Sequence, residues 1–207
     1  MHGSSNRLSL AIVGMGFSGI VAQILILREL FITFLGNELS IGIVLANWLV
    51  LEAIGCFIAG KIADRIRNRI ETFIGITLLF SLSFPVAIYL IRILKEIIGI
   101  GPGEGLGLLH ILFSSFLILL PVSIPHGAQF SLGCKAYSDI RSGNFSTSGI
   151  RRKNKSDYSE AGPIGRIYVI ETIGTIVGGV ALTYLLIPYF HSFEIAIGIA
   201  LLNSVMC

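Results

Sequence analysis

Long apolar stretches without a charged residue constrain this chain more than any other feature. A helix needs about 20 mostly apolar residues to cross the hydrocarbon core of a bilayer. Only 13% of the residues are charged and 54% are hydrophobic, whereas about 25% of an ordinary soluble domain is charged. This composition excludes a water-soluble surface, a disordered chain, a coiled coil and a disulfide-rich secreted scaffold. The stretches free of Asp, Glu, Lys and Arg are 8–27, 72–91, 105–134 and 172–193.

Further apolar stretches complete the pattern. Glu52 is the one charged residue within 39–60, and Arg166 and Glu171 interrupt 164–188. The last apolar run, 195–207, has 13 residues, so we expect the final helix to be short or truncated. We predict an all-α fold, a polytopic helical membrane bundle that forms one transmembrane domain over 1–207. Its six helices are predicted at about 8–30, 39–60, 71–92, 106–133, 164–188 and 193–207.

The distribution of basic residues predicts the topology. Arg7 alone precedes the first apolar run and no small-residue cleavage pattern follows that run, which favours a transmembrane helix over a cleavable signal peptide. With six alternating spans, 12 of the 15 Lys and Arg residues lie on the side of the N-terminus. The positive-inside rule then predicts an integral plasma (inner) membrane protein whose N-terminus is cytoplasmic. The segment 136–163 is expected to be a flexible cytoplasmic loop.

Glycines recur in patterns that invite two interpretations. The motif GMGFSG at 14–19 matches GxGxxG, but the helix that follows is apolar all round and no second strand pattern completes a dinucleotide-binding unit. We interpret these glycines as a helix-packing face. Small residues at 55, 59 and 63 and at 174 and 178 have the four-residue spacing that brings helices close together in lipid. Helices two and five are therefore expected inside the bundle.

Ionisable residues within the apolar spans are the strongest functional signal. Each is expensive in hydrocarbon and usually faces a partner or a cavity. Glu52, His126 and Glu171 lie 7 or 8 residues from the predicted cytoplasmic ends of their helices, which is about 10–12 Å at 1.5 Å per residue. Asn47 and Gln129 are predicted to complete a polar cluster. Pro121 and Pro125 predict a kinked or broken helix beside His126.

This cluster supports two interpretations from its residues alone. One is a cytoplasm-facing cavity whose carboxylates attract a cation or carry protons. The other is a set of interhelical hydrogen bonds without a ligand. The residues contain no enzyme constellation, no metal-ligand spacing and no nucleic-acid signature, so we predict no catalytic residue, no metal, no cofactor and no nucleic-acid partner, with the lipid bilayer as the surrounding partner. An oligomeric state stays open.

Three sequence blocks resemble one family. The blocks are GFSG at 16–19 with LRELFITFLG at 27–36, ANWL at 46–49 with AGKIADR at 59–65, and GRIY at 165–168 with ETIG at 171–174. They resemble the membrane domain of multi-pass spermidine synthase-like proteins, whose fifth helix carries G-R-x-Y-x-x-N-T-x-G. Glu171 stands where that pattern commonly has Asn, and Glu52 stands where it has a small residue.

The resemblance implies a bundle that anchors or feeds a cytoplasmic aminopropyltransferase-like domain, on this polypeptide or on a partner. Such an enzyme's nucleoside loop and catalytic aspartates are not in this sequence, so the bundle is expected to be non-catalytic by itself and whether the protein is an enzyme stays open. The alternatives are a half-transporter that moves a small cation or polyamine and a structural subunit of a membrane complex.

A shorter motif underlies the transporter alternative. Gly60, Asp64, Arg65 and Arg69 resemble the cytoplasmic loop between helices two and three of major facilitator transporters. The resemblance implies that Asp64 and Arg65 form charge contacts that gate a domain interface.

Overall fold

The described part of the chain is built from helices. The computed structural model describes residues 2–36, 38–66, 68–99, 106–141 and 161–206, and every regular element there is helical. Five helices are long and apolar enough to cross a membrane, and the last is apolar but has 15 residues. The predicted all-helical architecture with a short final helix is confirmed. The elements are α1 His2–Phe34, α2 Glu38–Ile62, α3 Arg69–Ile98, α4 Leu108–Arg141, α5 Ala161–Ala181, the π-helical Leu182–Leu186, α6 Ile187–Tyr189 and α7 Ser192–Met206.

Helix α4 is longer than its apolar stretch. It continues to Arg141, six residues into the segment 136–163 that the sequence predicts as a flexible loop. The helix continues because Ala136 and Tyr137 are buried against a hydrophobic cluster that also includes Leu8 and Ile12 of α1. Most of the predicted loop, 142–160 with its basic cluster, lies outside the described residues.

Of the predicted kink or break in α4, the break is wrong. Pro121 and Pro125 both lie inside a helix that is continuous from Leu108 to Arg141. The irregular backbone occurs instead before Pro188, where the N–H of Ile187 donates to the carbonyl of Leu182, five residues back. A proline ring clashes with the carbonyl four residues earlier, and a π-helical turn widens the helix at that point.

Helices α1 and α4 are the central elements of the bundle. Helix α1 packs against α2, α3, α4, α5 and α7, and α4 packs against α1, α2, α3 and α5. In the most apolar stretch of α1, 56% of the residues are buried, against 28% in α2 and 17% in α5. The expectation that helices two and five lie inside the bundle is therefore wrong. Their small residues form a narrow contact strip, and their other faces expose large side chains such as Phe57 and Ile176.

Helices α2 and α4 cross at two glycines. A Cβ atom at Gly55 would lie 2.1 Å from the carbonyl oxygen of Ile124, and one at Gly127 would lie 2.0 Å from that of Glu52. The backbones therefore touch directly, which any side chain at either position would prevent. We call this the α2–α4 crossing.

A second crossing of the same kind joins α1 and α5. A Cβ atom at Gly16 would lie 2.1 Å from the carbonyl oxygen of Glu171, and one at Gly174 would lie 2.1 Å from that of Val13. The other glycines of the GMGFSG motif meet different helices: Gly14 lies against Met206 of α7, and Gly19 lies against His126 of α4. These contacts confirm that the motif is a helix-packing face.

Alanine at a crossing glycine should force the two backbones apart. We expect G55A and G174A each to lower the free energy of unfolding by about 1–3 kcal/mol, the usual cost of overpacking. The measurement is the thermal unfolding midpoint of the purified protein in one detergent. G75A and G179A are matched controls, because a Cβ atom at either position meets nothing within 4 Å. Equal loss in all four variants would contradict the direct backbone contact.

Candidate functional site

The central polar contact of the bundle joins Glu52 of α2 to His126 of α4. Glu52 Oε1 lies 2.7 Å from His126 Nδ1, and the Trp48 indole N–H donates to Glu52 Oε2 at 3.0 Å. Trp48 precedes Glu52 by one helical turn, so both side chains lie on the same face of α2. Both carboxylate oxygens thus have a partner, and the residue pair is held by the α2–α4 crossing that lies immediately beside it.

The His126 ring is enclosed by aromatic side chains and by α1. Its centroid lies 6.1 Å from that of Trp48 and 5.6 Å from that of Phe80 on α3. The side chain is 9% exposed, and its Nε2 atom is buried without a hydrogen-bond partner among the described residues. Nε2 faces Gly19, where a Cβ atom would lie 2.0 Å from it. Because residue 19 is glycine, the imidazole can occupy this space.

Glu171 is the second carboxylate near this histidine. It lies on α5 beside the α1–α5 crossing and is close enough to His126 and Glu52 for their charges to interact. Among the described residues its carboxylate makes no hydrogen bond or ion pair, in contrast to that of Glu52. The structure therefore brings together the three ionisable residues that the sequence singles out, with one carboxylate bonded to the histidine and the other apart from it.

Of the two predicted amide members, Asn47 has its hydrogen bonds away from the ionisable cluster. Asn47 Nδ2 donates to the Leu112 carbonyl at 2.9 Å and to Ser115 Oγ at 2.8 Å, so it joins α2 to α4 more than a turn away from Glu52. Gln129 Nε2 donates to the Ile76 carbonyl of α3 at 3.5 Å. Its Oε1 atom is buried without a partner among the described residues. Asn47 thus acts in helix association and not in the ionisable cluster.

The arrangement can hold charge but does not form a metal centre. Within the described ranges, no three His, Cys, Asp or Glu side chains are grouped closely enough to hold a metal ion. What the cluster offers is two carboxylates and one imidazole within apolar helices. If all three are ionised, the cluster carries one net negative charge, which suits a proton or a single cationic group.

A second polar cluster lies where α2 ends, α3 begins and α4 ends; we call this the basic end. Arg69 donates through Nε to the Ala63 carbonyl at 3.0 Å and forms an ion pair with Asp139 of α4. Its NH2 atom lies 3.7 Å from Asp64, and Lys135 Nζ lies 2.6 Å from the same Asp64 oxygen. This network connects the ends of three helices.

The basic-end network contains two residues of the transporter-like motif. Asp64 and Arg69 contact one another, whereas Arg65 is exposed and forms no ion pair with another described residue. Gly60 lies near α4, where a Cβ atom would be 3.8 Å from Ser131 Oγ.

Sequence reasoning missed several contact residues. Lys135 and Asp139 are about 70 positions from their partners, so no local pattern connects them. Phe80 and Gly19 likewise reach His126 from other helices. Trp48 could have been found, because it lies four residues before Glu52 on one helix face.

Comparison with known protein families, curated proteins and solved structures finds no match to this chain. Its function has to be argued from the contacts just described.

The basic-end network predicts different roles for two neighbouring arginines. R69Q should lower the free energy of unfolding by about 1 kcal/mol, because it removes a backbone contact and partly exposed ion pairs. R65Q, the matched control, should change it by less than about 0.5 kcal/mol. Chemical or thermal unfolding of the purified variants in detergent measures both. An R65Q effect as large as that of R69Q would contradict the assigned network.

Proposed function

We propose that this chain is an integral membrane bundle that binds a small cation at its Glu52–His126–Glu171 cluster and moves it across the bilayer. The observation that carries the proposal is the 2.7 Å contact between Glu52 and His126 inside apolar helices, with a second carboxylate nearby. On insertion scales an acidic residue at the centre of a membrane helix costs about 3 kcal/mol. Packing of the bundle does not require two such costly residues beside one histidine.

The chemistry of the cluster defines the class of substrate. Its ionised form has a single uncompensated negative charge, and Glu171 is the carboxylate without a hydrogen bond among the described residues. A proton or an ammonium group, such as one end of a polyamine, matches that charge. In this proposal the basic end faces the cytoplasm, as the positive-inside rule predicts.

Uptake into vesicles tests the transport proposal. Purified protein in proteoliposomes should accumulate labelled polyamine above protein-free vesicles, or acidify them in a proton gradient assay. E52Q and E171Q should each reduce uptake at least about tenfold, because E52Q removes the charge bonded to His126 and E171Q removes the charge that would pair with the cation. E71Q is the matched control, because that carboxylate is exposed at the start of α3 and bonds to Asn68.

Two results would reject transport. One is uptake no greater than that of protein-free vesicles. The other is full activity in both E52Q and E171Q at equal folded yield, since the cluster would then serve only to join helices.

A second candidate function rests on the basic end. In this alternative the bundle is the membrane domain of a spermidine synthase-like protein and anchors or feeds a cytoplasmic aminopropyltransferase-like domain. The network of Asp64, Arg69, Lys135 and Asp139 favours it, because that network fixes three helix ends at the face predicted to be cytoplasmic. A rigid, charged face of this kind would suit docking of a soluble domain.

The coding sequence beyond Cys207 and the neighbouring genes test the second candidate function. An aminopropyltransferase-like domain there should co-purify with this bundle and transfer aminopropyl groups, whereas the bundle alone should show no transfer. R69Q should weaken the association and R65Q should leave it unchanged. The absence of such a domain, or association unaffected by R69Q, would contradict the anchoring role.

A further inference from the structure

Helices α2 and α5 share a sequence pattern around their carboxylates. Aligning Glu52 with Glu171 pairs LEAIGCFIAG at 51–60 with IETIGTIVGG at 170–179. The Glu, the Ile two residues later, the next Gly and the final Gly are identical, and the remaining apolar positions pair residues of similar kind. The two helices therefore correspond residue by residue.

The two crossings correspond in the same register. In the α2–α4 crossing, Gly55 meets the carbonyl three residues before Gly127, and Gly127 meets the carbonyl three residues before Gly55. In the α1–α5 crossing, Gly174 and Gly16 meet each other's helices in this same reciprocal way. Glu52 and Glu171 are in each case the residue whose carbonyl touches the partner's glycine. The geometry thus pairs α2 with α5 and α4 with α1.

Both crossings join helices that run in the same direction, as two successive contacts along each helix pair show. Asn47 and Cys56 of α2 contact Ser115 and Ser131 of α4, in the same order along both chains. Val13 and Phe17 of α1 likewise meet Gly174 and Gly178 of α5.

The two crossings run opposite to each other. Gly19 of α1 meets His126 of α4, whereas the earlier Ile12 lies 3.9 Å from the position of a Cβ atom at the later Gly133, so α1 and α4 are antiparallel. One crossing is therefore inverted relative to the other. Helices α1 and α2 therefore correspond to α4 and α5. The helices that follow each pair in the chain, α3 and α7, pack against each other. Such three-plus-three inverted repeats place binding sites at the repeat interface in secondary transporters.

One member of the cluster breaks the symmetry. The position before Gly127 is His126, and the position before Gly16 is Met15. Two equivalent carboxylates thus share a single imidazole. The unpartnered, buried Nε2 of that imidazole faces α1, the helix that packs on α5 beside Glu171.

We infer that Glu52 and Glu171 are equivalent, alternating partners of His126, and that the carboxylate left without His126 is the one that binds the cation. In the structure described here His126 is bonded to Glu52, so Glu171 is the cation-binding carboxylate. The inverted arrangement has His126 bonded to Glu171 and Glu52 open toward the opposite side. This inference rests on the proposed transport function and specifies which residue holds the cation in each state.

Nitrogen-15 NMR of the histidine side chains tests the exchange without measuring transport. Full-length protein labelled at its four histidines is placed in lipid nanodiscs at pH 7, and H126Q identifies the His126 signals. If the carboxylates alternate, E52Q and E171Q should each retain the ring-nitrogen signal of a His126 that is hydrogen-bonded to a carboxylate. The double variant E52Q/E171Q should lose it, and the control E71Q should leave it unchanged.

Each other outcome overturns the inference. Loss of the hydrogen-bonded signal in E52Q alone would make Glu52 the fixed partner, and loss in both single variants would mean that His126 needs both carboxylates at once. Retention in the double variant would show that neither carboxylate is its partner. The expected NMR pattern without any uptake would reject transport but not the equivalence of the two carboxylates. Uptake with a fixed Glu52–His126 pair would reject the alternation but not transport.

Discussion

The fold depends on direct backbone contact at two glycine crossings. In lipid, helices gain little from burying apolar surface, so close packing has to hold them together. The carbonyl groups that touch the glycines belong in part to Glu52 and Glu171 themselves. Each of these residues therefore supplies both a packing contact and a carboxylate. The position of the charge is fixed as firmly as the crossing, which explains how two acidic side chains are held near one histidine within apolar helices.

Those crossings also mark what sequence could and could not predict. The apolar stretches predict the helices, because span length and the absence of charge are local properties. Glu52, His126 and Glu171 stand out for the same reason. The four-residue spacing of Gly174 and Gly178 predicts a contact strip but not which helix it meets, and it does not imply burial of the whole helix. The partner of each glycine is a non-local property, and only the structure supplies it.

Long-range ion pairs were beyond local patterns for the same reason. Asp64 and Arg65 are adjacent, yet Arg69 and Lys135 are the residues that reach Asp64, because a helix turn and a neighbouring helix bring them there. The prolines of α4 show the converse, a local pattern whose predicted effect is outweighed by packing. Pro121 and Pro125 predict a kink or a break, but the helix is not broken, since its packing against α2 and α3 outweighs the hydrogen bonds that two prolines remove.

A single histidine between two equivalent carboxylates has a physical consequence. With a second histidine in place of Met15, both carboxylates would be neutralised at once and no charge would remain for a cation. With no histidine, two carboxylates in apolar surroundings would both bear the full cost of desolvation. One imidazole leaves one carboxylate compensated and the other available. The two crossings differ because position 15 is Met where the other crossing has His126. Because of this difference, one of the two equivalent carboxylates keeps its negative charge at any time.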